Sequence, residues 1–175
     1  MSNAIPDLQG PGGSLNLSKT DVVLTTTEAI NKGQVVVCIP NSDGSFTTCR
    51  KATVTSSADA GVSGSGTATS HFVGVAMHDA ASGALLKVRL RGPVEVLAYS
   101  TNGTPQILAD NALVCSISTG TAGVLDANAT GATYANAKIV AVATNSATIS
   151  SATSTTTLRS AHFNGIEGWG RFGGL

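Results

Sequence analysis

Lys87-Val88-Arg89-Leu90-Arg91-Gly92-Pro93-Val94-Glu95-Val96 carries the clearest pattern in the chain. Val88, Leu90, Val94 and Val96 fall on one face of an extended segment, and Lys87, Arg89, Arg91 and Glu95 fall on the other. A period of two is the geometry of a β-strand with one face in a core. Pro93 has no N–H to give to a ladder, so Gly92-Pro93 predicts a bulge or an edge strand.

The text on both sides is of the same kind. Val, Thr and Ile dominate from residue 21 onward, broken at short intervals by turn residues. Asp21-Val22-Val23-Leu24-Thr25-Thr26 reads as a first strand, and Asn31-Lys32-Gly33 as a turn. Gln34 through Ile39 is apolar on both faces, the signature of a strand buried on both sides. Asp43-Gly44 supplies the positive φ of a hairpin turn, and Ser45–Arg50 returns as its partner. Residues 55–70, almost all Thr, Ser, Ala and Gly, read as a surface loop or an extended excursion. Phe72–Met77 is the next strand, followed by a turn at Asp79–Gly83.

The second half repeats the first more loosely. Leu113-Val114-Cys115-Ser116-Ile117 parallels Val36-Val37-Cys38-Ile39, and Gly123–Ala127 parallels the strand after the first hairpin. Lys138–Ala143 parallels His71–Ala76, and Thr148 through Arg159 closes the set. The expected fold is all-β, a small barrel or sandwich-like domain in which a repeated unit gives two similar β halves. Residues 1–20 form an extended arm, 21–100 a β domain, 101–160 a second β unit or a continuation of the first, and 161–175 a tail. A short helix within Ala127–Ala137 is the one helical alternative, and it lacks an apolar stripe.

Composition bounds the function. Only 11% of the 175 residues are charged, against about 25% in ordinary domains. Ten basic residues balance ten acidic ones. A surface so poor in charge is weakly protected against association, which points to one committed to other subunits. The balance argues against nucleic acid, which calls for an excess of Lys and Arg and for stacking aromatics. No apolar run approaches the length of a membrane span, and no signal peptide is seen at the N-terminus. The three Cys have no CxxC spacing, and Cys38 and Cys115 lie in apolar runs, so buried thiols are expected rather than disulfides.

Chemistry has little to work with. His71, His78 and His162 have no ligand spacing, no nucleophile elbow occurs, and the acids are scattered. The expectation is a non-enzyme with no metal and no cofactor. The candidate contacts are partner contacts. Lys87, Arg89 and Arg91 form a basic stripe, read either as a partner surface or as a solvated face that discourages edge pairing. Phe163, Trp169, Arg171 and Phe172 lie in a Gly-spaced stretch, read either as aromatic knobs entering a neighbour's pockets or as a tail folded back on its own barrel.

Phe72-Val73-Gly74-Val75-Ala76, the turn Asp79–Gly83 and the alternating strand ending at Gly92-Pro93-Val94-Glu95-Val96 resemble the capsid decoration, or cement, proteins of tailed phages. The strand start Gly33-Gln34-Val35-Val36-Val37 fits as well, so the resemblance spans roughly residues 30–98. It implies a barrel-like unit on the outer face of a phage head, bound to the major capsid protein, often as a homo-oligomer with a trimer favoured. It implies a virion location after synthesis in the host cytoplasm, and no catalytic residues. The second half and the aromatic tail exceed the family pattern. The alternative reading is a receptor- or glycan-binding module of a fibre or spike.

Overall fold

The computed structural model describes residues 21–40, 46–52, 73–99, 106–110, 112–115, 122–127, 140–145, 147–148 and 157–165. The arm at 1–20, the hairpin turn at Asp43-Gly44, the loop at 55–70, the stretch 128–137 and the end of the tail from 166 lie outside the described residues.

The first five strands are β1 (Asp21–Thr26), β2 (Val35–Pro40), β3 (Phe46–Lys51), β4 (Val73–Ala76) and β5 (Leu85–Arg89). They close into a barrel in the order β1-β3-β2-β4-β5, with β1 and β3 parallel and the other neighbours antiparallel. β1 alternates as its sequence demands: Val22, Leu24 and Thr26 are buried, while Asp21, Val23 and Thr25 are half-buried on the outside. The barrel is filled by Val22, Leu24, Ile30, Val36, Cys38, Cys49, Leu86, Val88 and Leu90.

β6 (Arg91–Tyr99), β7 (Gln106–Ile107), β8 (Ala112–Cys115), β9 (Leu125–Asp126), β10 (Ala141–Ala143), β11 (Ala147–Thr148) and β12 (Thr157–Asn164) follow. Five of them close a second barrel in the order β10-β12-β6-β9-β8, and β7 pairs with β11 beside it. The all-β expectation holds; among the described residues there is no helix.

The two barrels share one topology and one register. β1, β2, β3, β4 and β5 correspond to β6, β8, β9, β10 and β12, and the parallel pair β1–β3 recurs as β6–β9. Cys38 faces Cys49 as Cys115 faces Leu125; Val36 faces Gly74 as Leu113 faces Ala141. Ala76 faces Val88 as Ala143 faces Ala161, and the lone bridge Ile30–Ala80 recurs as Ile107–Ala147. The turns match too. Gly33 N–H donates to the Ala76 carbonyl at 2.9 Å and Asp110 N–H to the Ala143 carbonyl at 2.8 Å, and both residues have positive φ, +83° and +69°.

The alternating stretch Lys87–Val96 is therefore divided between two strands. β5 closes the first barrel, Leu90 points into it, and β6 begins the second. β6 (Arg91–Tyr99) belongs to the second barrel, so the chain passes between barrels at Leu90 rather than near residue 100. Gly92, at φ +99°, makes the crossing possible. Pro93 is tolerated because, among the described residues, this end of β6 pairs with β12 alone; β9 joins later, at Ala98 and Tyr99.

β2 shows what a strand apolar on both faces is for. Val36 and Cys38 enter the first barrel, while Val35 and Val37, with Val73 and Val75 of β4, face the other way. Those four valines belong to the second core, with Val96, Ala98, Leu113, Leu125, Val140 and Phe163. Backbone bonds stitch the same seam. Val35 N–H donates to the Gly123 carbonyl (2.7 Å), Gly123 N–H to Ala52 (2.8 Å), Leu97 N–H to Gly33 (2.7 Å) and Gly165 N–H to Leu90 (3.0 Å). Burial contributes about 1.5–3 kcal/mol for each of these valine side chains, before the cost of ordering the chain. The first barrel thus forms part of the core of the second.

Candidate partner-binding surface

The basic stripe is built on the outer face of β5 where it lies against β1. The antiparallel register sets Asp21 opposite Arg89 and Val23 opposite Lys87. Arg89 grips Asp21 with two parallel bonds, Nε to Oδ1 at 2.7 Å and Nη2 to Oδ2 at 3.1 Å. Its Nη1 donates to the Pro93 carbonyl at 2.8 Å, so one guanidinium ties β1, β5 and β6 together across the crossing between barrels. Lys87 Nζ lies 3.0 Å from Asp21 Oδ2. The Arg89 hydrogen bonds, and then Lys87, hold the Asp21 carboxyl below its ordinary 3.8 in spite of partial burial. In return, Asp21 raises the Arg89 pKa.

The stripe is thus three positions with different roles. Lys87 is exposed and shares an anion with its neighbour; Arg89 is half-buried and committed within the chain; Arg91 is half-buried at the start of β6. Arg89 is a clamp within the fold rather than a group presented to a partner. Sequence reasoning missed Asp21 as the organising anion, because only the long-range pairing of the first and fifth strands brings it there.

Phe163 corrects the reading of the tail. It stands on β12, is 1% exposed, and fills the second core. Residues 161–165 are the end of a strand and its turn, and Gly165 fits so closely against the Val73 carbonyl that no side chain could replace its hydrogen. The signal was present in the repeat: Leu90-Arg91-Gly92 and Phe163-Asn164-Gly165 occupy equivalent places. Trp169, Arg171 and Phe172 lie outside the described residues.

Cys38 and Cys49 face each other across β2 and β3, both free and both fully buried. Burial raises both thiol pKa values, that of Cys49 to about 12 with Glu28 adding to the effect. They behave as small apolar core groups. His78 is used locally: its Nδ1 is 2.9 Å from the Asp79 carbonyl, and its Nε2 accepts the Lys87 N–H at 3.2 Å.

The large apolar side chains left in solvent are Leu85 (69% exposed), Leu108 (50%) and Leu158 (38%) among the described residues. Leu85 and Leu158 are repeat equivalents, facing Thr25 and Leu97 across the corresponding strand pairs.

No family model matches the chain. No curated protein matches it either. Among solved structures it is similar to the N base of the head fibre gp8.5 of bacteriophage phi29, at 12% identity and a TM-score of 0.48, over 88% of this chain and 98% of that one.

Proposed function

We propose that this chain is a structural virion protein that decorates a phage head, binding the outer face of major capsid subunits and stabilising the shell by buried area rather than by chemistry. The observation that carries the reading is the seam. Two barrels of one topology share a core and are laced together by backbone hydrogen bonds. Its central charges are satisfied in cis, with Arg89 and Lys87 both on Asp21. A body of this kind suits repeated, preorganised contact, because little ordering entropy is lost when it docks. The segment that resembles the decoration family, roughly 30–98, holds β2 to β5 of the first barrel and most of β6 of the second, while β1 precedes it.

The test is mechanical. Heads lacking the protein are heated with and without it, and DNA release is followed by dye fluorescence. Saturating protein raises the release temperature if the reading is right; an unchanged release temperature contradicts it.

A further inference from the structure

One part of the seam between the barrels is a turn seated on a wall, and the repeat supplies each side of that part twice. The first side is the turn Asn31-Lys32-Gly33 of the first barrel. The second is the outer wall of β6 and β12 in the second barrel. There the Gly33 carbonyl accepts the Leu97 N–H at 2.7 Å, the Gly33 Cα lies against Leu158 and Leu97, and Lys32 Nζ meets Glu95 at 2.7 Å. The equivalent turn on the second barrel is Leu108-Ala109-Asp110, and the equivalent wall on the first barrel is β1 and β5, with Val23, Thr25 and Leu85 in place of Glu95, Leu97 and Leu158.

The chemistry of these second versions has shifted together. Where the internal contact has Asn31 and Lys32 against Glu95, the repeat has Leu108 and Ala109 on the turn and Val23 on the wall. The ion pair of the internal contact is replaced by apolar side chains on both the turn and the wall, while Thr25 stands where the internal wall has Leu97. The two most exposed large apolar side chains described, Leu85 at 69% and Leu108 at 50%, lie one on each of these surfaces.

We infer that copies of this chain associate head to tail, the 108–110 turn of one copy seating on the Val23, Thr25 and Leu85 wall of the next. The contact repeats between chains the turn-on-wall part of the docking that joins the two barrels within one chain. It is heterologous, so it propagates from copy to copy and closes into a ring where the rotation allows. It needs no capsid, so its failure and that of the decoration reading are separate results.

Sedimentation velocity on the full chain tests it. The wild type sediments as species larger than one chain at high micromolar concentration, a single one if the contact closes into a ring and a growing series if it does not. Leu85→Glu removes the wall and Leu108→Glu removes the turn; each weakens association at least tenfold while keeping the wild-type melting midpoint, since both side chains are exposed. Mixing the two variants restores a one-to-one pair and nothing larger, because each retains the half the other lacks, and the double variant stays monomeric alone. A monomeric wild type, an assembly indifferent to both substitutions, or a mixture that fails to pair overturns the inference.

Discussion

Asp21 and Arg89 are the pair on which the first barrel closes, and their chemistry fixes a pH dependence. The carboxyl pKa is lower in the folded chain than its ordinary 3.8, so the stabilisation it gives is present above that value and is lost as pH falls through the folded value. Urea unfolding followed downward in pH therefore shows stability falling in acid, and Asp21→Asn both lowers stability at neutral pH and flattens that part of the acid slope. Arg89→Ala costs about 1–2 kcal/mol at neutral pH, since it removes a partly buried bidentate pair and a bond to the Pro93 carbonyl. Lys32→Ala, which removes a mostly exposed pair with Glu95, costs about 0–1 kcal/mol in the same assay. The charged residues were visible in the sequence as a stripe; their commitment to one another was not. Asp21 and Arg89 are 68 positions apart, and nothing local to either residue announces the other.

At the scale of elements, the turns and the doubly buried strand do most of the specifying. Gly33 combines a positive φ with a position where a Cβ would run into Leu158 and the backbone of Leu97, so Gly33→Ala costs about 1–3 kcal/mol. The equivalent Asp110 adopts the same left-handed conformation with a side chain, so Asp110→Gly is neutral or stabilising by up to about 1 kcal/mol. Paired melts of the two variants read this contrast. The Asn31-Lys32-Gly33 turn, the apolar-both-faces reading of β2 and the loose parallels between halves were all legible, because each is a local pattern of residue types. The division of residues 88–96 between two barrels was not. Leu90 continues the alternation of β5 without a break, and only Gly92-Pro93 hints that the chain changes barrels. Phe163 was misplaced for a related reason: its glycine-rich neighbourhood resembles a tail, while its partners Ala141 and Val96 lie on other strands.

For the whole molecule, the shared core makes the two barrels one cooperative unit. Calorimetric and van't Hoff enthalpies are expected to agree, and Phe163→Ala, which opens a cavity in the second core, is expected to lower the stability of both barrels by about 3–5 kcal/mol. Two resolved transitions would show that the seam is weaker than its valines and backbone bonds imply. Among the described residues, the large apolar side chains the molecule presents most openly are Leu85 on the wall and Leu108 on the turn. Removing residues 166–175, which hold Trp169, Arg171 and Phe172, is expected to lower affinity for heads about tenfold, or about 1.4 kcal/mol, in a co-sedimentation titration; a cut before Phe163 would remove a core residue of the second barrel as well. The decisive measurement is co-sedimentation of the purified full chain with heads that lack it. The protein is expected to saturate at a fixed whole-number ratio to the sites of the capsid lattice, and absence of co-sedimentation at micromolar protein would contradict the account.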